Sequence, residues 1–181
     1  MRAHRPMINL ALIGFMGTGK SAVGRLVAKQ LRFDFLDTDA CIEAQTGLRI
    51  AELFARAGEA AFREHERRLV DDLGRMTRTV IATGGGLAAN EQNLASLKQH
   101  ALVVCLWASP ETIWDRVADQ SHRPLLRDPD PLAKIRLLLA QREPFYRQAD
   151  VLVNTDRRSI KEVAHQITHQ YRLARNAAPP P

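Results

Sequence analysis

Cysteine is nearly absent from this chain of 181 residues: Cys41 and Cys105 stand alone and far apart. Two such thiols form neither a disulfide framework nor a metal-binding spacing, so a reduced protein of the cytoplasm is expected. Aromatic residues are also few, at 6%, and the arginines are scattered instead of striped, which argues against a nucleic-acid partner. No apolar stretch is long enough to span a membrane, so no membrane association is expected. Arg2, His4 and Arg5 precede the apolar run Met7 to Met16 and superficially copy a signal peptide, but no small-residue cleavage site follows. Internal repeats are missing as well. One domain over residues 1–181 is expected, with a disordered tail at about 176–181.

What the chain does have is positive charge. A net charge of +6 and a pI near 9.9 favour anionic partners, and a basic enzyme for phosphorylated or carboxylated small molecules fits better than a nucleic-acid binder.

Strand and helix signals alternate from end to end. Ile8 to Ile13 is a short apolar run closed by Gly14, as a fully buried parallel strand should be. Val23, Leu26, Val27 and Leu31 then recur at helical spacing. A short strand at Phe33 to Leu36 and helical stretches from about Asp39 to Met76 follow. Thr79 to Ala82, Ala101 to Trp107 and Val151 to Val153 complete five strand candidates. Ser109-Pro110-Glu111 and Asp130-Pro131 read as helix starts, and Ser159 with Glu162 as a capping box. The alternation predicts an α/β fold of three layers, a parallel sheet covered by helices on both faces. The polar, Arg- and Pro-containing segment at about 120–130 is the candidate mobile lid.

Gly14 to Ser21 matches G-x-x-x-x-G-K-[ST] in full. Its glycines let successive backbone N–H groups turn toward phosphate oxygens, Lys20 reaches the β and γ phosphates, and the Ser21 hydroxyl holds Mg²⁺. The following helix adds its positive end. Only five of the 26 basic residues are lysine, so one at this slot is informative. ATP is the implied co-substrate.

A phosphate loop alone does not separate kinases from other nucleotide hydrolases. Asp37-Thr38-Asp39 follows the second strand and faces the same crevice. One carboxylate can help order Mg²⁺ and the other accept a hydroxyl proton, although Asp39 can equally be read as a helix N-cap. Thr83-Gly84-Gly85-Gly86 after the third strand leaves bare backbone for a ligand. Arg63, Arg123 and Arg142 cannot be ranked above the other arginines by spacing alone.

Taken together these segments resemble the shikimate kinase family. The likeness rests on Gly14 to Ser21, Phe35 to Asp39, Phe62-Arg63 with Glu66, Thr83 to Gly86, Arg123 to Leu126, and Arg142 to Tyr146. It implies a five-stranded parallel sheet of the nucleoside-monophosphate-kinase type. It also implies phosphorylation of the 3-hydroxyl of shikimate by ATP, a step toward chorismate and the aromatic amino acids, by a monomeric enzyme. Asp39 would then hold the attacking hydroxyl, Arg63 and Arg142 would clamp the carboxylate, and Gly84, Gly85 and Gly86 would line the ring. Lys20 and Arg123, the lid arginine, would meet the ATP phosphates together with Gly17, Thr18, Gly19, Ser21 and Ala22. Arg116, and Arg157 or Arg158, would border the adenine, and Ser21 with Asp37 are the metal-ordering candidates. Ala22 departs from the family, which usually has a hydroxyl residue there; its N–H remains, so a slightly weaker α-phosphate grip is expected. Pro144 is expected to kink its helix just past Arg142.

Two other readings are weighed. A gluconate or nucleotide kinase shares the phosphate loop but not the set of Asp39, Arg63, triple glycine and Arg142. A non-catalytic effector-binding module would need an attached DNA-binding segment, and only thirteen residues precede the loop. His165 and His169 have metal-binding spacing, but the surrounding Lys161, Arg172 and Arg175 mark a solvated basic face.

Overall fold

The computed structural model describes residues 7–118 and 128–176. Five parallel strands form one sheet: β1 (Asn9–Ile13), β2 (Asp34–Asp37), β3 (Thr79–Ala82), β4 (Ala101–Trp107) and β5 (Val151–Asn154), in spatial order β2-β3-β1-β4-β5. Among the described residues seven α-helices connect and cover them: α1 (Lys20–Leu31), α2 (Thr38–Thr46), α3 (Ile50–Leu73), α4 (Glu91–His100), α5 (Pro110–Val117), α6 (Pro131–Tyr146) and α7 (Ile160–Asn176). The strands predicted at Phe33 and Val151 are each shifted or extended by one residue. The candidate lid at about 120–130 falls largely, and Arg123 wholly, outside the described residues, as does the tail beyond Asn176.

Strand parity sorts the core into two halves. Leu10, Leu12, Val104 and Leu106 pack with Val23 and Val27 of α1 and with Val163, Ile167 and Tyr171 of α7. Ala11, Ile13, Ile81, Val103 and Cys105 turn the other way, against apolar residues of α2, α3, α4, α5 and α6. A period of two on a strand buried on both faces produces this division, and each fully buried Leu or Ile contributes about 1.5–3 kcal/mol.

The predicted caps form. Ser109 Oγ accepts from Thr112 N at 3.2 Å, Asp130 Oδ1 from Ala133 N at 2.9 Å, and Ser159 and Glu162 bond reciprocally. One alternative reading is excluded. Asp37, not Asp39, is the N-cap of α2: its backbone is extended and its Oδ1 accepts from Asp39 N at 3.1 Å, whereas Asp39 is already in the helical first turn. Pro144 lies in the last turn of α6, and the helix runs on past it to Tyr146. The real interruption is in α3, where Gly58 takes φ 78° and ψ 174°, a conformation open essentially to glycine only.

At the edge where the strands begin, buried Asn9 acts as a polar tie. Its amide donates to Met76 O at 2.7 Å, lies 3.0 Å from His100 Nδ1, and accepts from Thr79 N at 3.0 Å. The segments before β3 and β4 are thereby fixed to β1. The opposite edge, where the strands end, is left for chemistry.

Candidate active site

The phosphate loop, Asp37, Asp39 and the triple glycine lie at the ends of β1, β2 and β3, and Arg63, Arg116 and Arg142 come from α3, α5 and α6. A cavity of about 280 Å³ opens there, lined by the phosphate loop, Asp37, Asp39, Thr83, Gly85 and Arg116. This is where an open α/β sheet places its ligands.

The phosphate loop is built largely from its own backbone. Gly19 takes φ 92° as the N-cap of α1. Thr18 Oγ1 donates to Phe15 O at 2.8 Å and braces the turn. Lys20, only 8% exposed, donates from Nζ to Gly14 O at 2.9 Å and Phe15 O at 2.8 Å, so its charge is already held inside the loop. Ser21 Oγ donates to Asp37 Oδ2 at 2.6 Å, which ties the start of α1 to the end of β2. Ala22 also lines the cavity.

The triple glycine closes the other wall. Thr83 N and Oγ1 both donate to Leu12 O, and Gly84 N donates to Thr38 Oγ1 at 2.8 Å. A Cβ on Gly84 would collide with Asp39 Oδ1 and sit 3.1 Å from Glu66 Oε1; one on Gly86 would sit 2.8 Å from both terminal nitrogens of Arg63. The glycines are therefore the space in which Asp39, Glu66 and Arg63 come together.

Glu66, a residue the sequence motif contains but to which no role was given, is the surprise. It is fully buried, its Oε2 accepts from Arg63 Nη1 at 2.6 Å, and its Oε1 has no hydrogen-bond partner among the described residues. Burial pushes its carboxyl up, against the pull of Arg63. Arg63 is pushed the other way by burial, but Glu66 and Glu59 prevail and hold it firmly charged. Glu59 engages its outer edge at 2.8 Å. In the sequence Glu66 is marked by its place in the family motif, one helical turn after Arg63.

Arg142 reaches the glycine wall from α6. Its Nη1 donates to Gly85 O at 3.0 Å, and its guanidinium lies 5.2 Å from the centre of the Phe15 ring. Arg116 donates to Gly17 O at 3.3 Å and to Thr155 Oγ1 and O, joining the phosphate loop to the end of β5. Arg158 is turned to Gln166 Oε1 at 2.6 Å and to Asn154 O, away from the cavity lining, and Arg157 sits in a left-handed turn at φ 53°. Among the described residues no cluster of three or more acidic, histidine or cysteine side chains exists that could cage a metal. The donors at hand are the Ser21 hydroxyl and the Asp37 carboxylate, hard oxygens of the kind that meet Mg²⁺ one or two at a time beside phosphate and water.

The chain is similar to known proteins along nearly its whole length. A sequence model of the shikimate kinase family matches residues 16–172. The shikimate kinase of Thermodesulfovibrio yellowstonii is 42% identical over 94% of this chain and 98% of its own, and that of Symbiobacterium thermophilum 45% identical over 88% and 94%. Among solved structures, shikimate kinase from Acinetobacter baumannii in complex with shikimate superposes with a TM-score of 0.88 at 36% identity, over 96% of this chain and 97% of that one. A gluconokinase from Sinorhizobium meliloti reaches a TM-score of 0.60 at 16% identity over 96% and 97%, a likeness of fold alone.

Proposed function

We propose a division of labour among the residues of this site, from the premise that the chain belongs to the shikimate kinase family. Its reaction is transfer of the γ-phosphate of ATP to the 3-hydroxyl of shikimate, giving shikimate 3-phosphate and ADP. The observation that carries the assignment is the meeting of Asp39 and Glu66 over Gly84, with Arg63 on the adjoining Gly86, in the wall opposite Lys20 and Ser21.

On the ATP side, the loop amides and Lys20 neutralise the β and γ oxygens as charge builds in transfer. Ser21 and Asp37 would hold Mg²⁺, which would supply further neutralisation of the phosphates. Arg116 borders the nucleotide, and Arg123, outside the described residues, carries no part of this assignment.

On the acceptor side, the hydroxyl oxygen attacks the γ-phosphorus while the bond to the β–γ bridging oxygen breaks. The hydroxyl proton passes to Asp39, and ADP departs. Arg63 and Arg142 take the substrate carboxylate, for which planar guanidinium forks are suited. Glu66 holds Nη1 of Arg63 from inside, while the exposed Glu59, bonded to Nε and Nη2, would yield that outer edge to the substrate carboxylate.

We further propose that the chain works as one monomeric unit in the cytoplasm. No helix among the described residues is long and apolar enough to cross a membrane. The direct test is ATP-dependent phosphorylation of shikimate by the purified protein, with gluconate, quinate and nucleoside monophosphates as controls. Turnover of shikimate alone is expected, and preference for any control would overturn the assignment.

A further inference from the structure

Arg142 and Tyr146 stand one helical turn apart in the last turns of α6, so their side chains leave the same face. Both end on one atom. Arg142 Nη1 donates to Gly85 O at 3.0 Å, and Tyr146 Oη donates to the same oxygen at 2.7 Å. That carbonyl has two lone pairs, and the two donors fill them. Tyr146 is 1% exposed, and burial pushes its phenol up to about 12, so at any working pH it is a neutral donor with a single proton to give. Gly85 is packed on the other side against the phosphate loop, where a Cβ would lie 3.1 Å from Met16 N. One glycine carbonyl thus joins the acceptor arginine to the wall that faces the phosphates.

The geometry points to Tyr146 as a positioning residue for the acceptor carboxylate, acting through Gly85 and Arg142; this rests on the reading of Arg142 as a carboxylate clamp. Tyr146 fixes where the Gly85 oxygen points, and that oxygen fixes one edge of the guanidinium. The opposite edge, Nε and Nη2, is then aimed by the fold before substrate arrives.

The other tyrosine supplies the control. Tyr171 is equally buried and donates from Oη to a backbone oxygen, that of Met7, at 2.9 Å, but at the edge of the sheet where the strands begin. Tyr146→Phe and Tyr171→Phe each delete one buried phenol-to-carbonyl bond, so both should lower the melting temperature. Only Tyr146→Phe should raise KM for shikimate, roughly three- to tenfold, the size expected of one hydrogen bond, with KM for ATP within twofold of wild type. In an Arg142→Ala background, Tyr146→Phe should raise KM for shikimate no further, since the side chain it positions is gone.

The outcomes separate. If Arg142→Ala leaves KM for shikimate unchanged, the clamp reading itself fails. If Arg142→Ala raises it and Tyr146→Phe does not, the clamp stands and the positioning role is wrong. Equal effects of the two tyrosine variants, or additive effects in the double variant, also overturn the proposal, because each describes a loss of packing unconnected with Arg142.

Discussion

The two halves of this site are made in different ways. The ATP side is one continuous segment, Gly14 to Ser21, whose contacts are mostly backbone and whose lysine is bonded to carbonyls five and six residues before it. The acceptor side is assembled from side chains on separate elements: Asp39 on α2, Arg63 and Glu66 on α3, the glycines after β3, and Arg142 and Tyr146 on α6. A loop of the first kind is specified by local spacing and tolerates changes around it. A site of the second kind depends on how four elements pack, and changes in it should be read out in one substrate and not in the other.

The sharpest way to break that comparison is Asp39→Asn, which keeps the shape and removes the proton acceptor. A fall in kcat of about 10²–10⁴-fold is expected with nucleotide affinity little altered. Equal losses in turnover and ATP binding would move Asp39 to the nucleotide side.

Lys20→Met tests the other half. Loss of a charge contact made in the transition state should lower kcat/KM by at least about 10²-fold, near 2.7 kcal/mol, with circular dichroism unchanged. A variant within about fivefold of wild type would mean that the loop amides suffice without it.

A smaller effect concerns selectivity. A shikimate analogue with a hydroxymethyl group in place of the carboxylate gives Arg63 and Arg142 no substrate anion to meet, so discrimination on the order of 10²-fold in kcat/KM is expected. Arg142→Ala should erase much of it. Arg147→Ala should not, since Arg147 is exposed and pairs with Glu143 at 2.6 Å. Wild type accepting both compounds alike would remove the clamp altogether.

The smallest effect is on stability. Burial raises the Glu66 carboxyl above its unfolded value. The stabilisation linked to it is therefore complete below the ordinary carboxylate range near pH 4.3 and is lost as pH rises through the raised folded value. Glu66→Gln cannot titrate. The melting temperature of wild type relative to this variant should thus fall by about 2–4 °C as pH climbs out of that range, if the linked change is near 1 kcal/mol. A difference constant between pH 4 and 8 would show that Arg63 cancels the burial.

The same contrast explains what could be read from the sequence. Five strands, the order of the helices and the phosphate loop were legible because each is written in a contiguous pattern: an apolar run, a cap, a glycine at a required slot. Arg63 and Arg142 could not be told from other arginines by spacing, and only the family likeness ranked them, because their roles depend on the distant glycines they touch. Asp37 and Asp39 illustrate the limit of local chemistry. Either aspartate can cap a helix two residues on, and the choice is made by the backbone at Asp37, which stays extended as part of β2. Glu66 and Tyr146 went unassigned for the same reason as the arginines. A buried acid or phenol has no meaning until the atom opposite it is known.

Gly58 carries a consequence for how the molecule comes apart. It divides α3 into an outer piece, in which Leu53 is the one fully buried residue and Phe54 rests on Phe62 with ring centres 4.8 Å apart, and an inner piece that anchors Phe62, Leu69, Val70 and Leu73 in the core. No helical hydrogen-bond ladder runs unbroken across the junction to make the two melt together. The outer piece should open as a local unit, its amides exchanging with solvent well before those of the sheet. Arg63 and Glu66 lie on the inner piece, so the substrate-facing charges belong to the part that remains folded while their neighbour breathes.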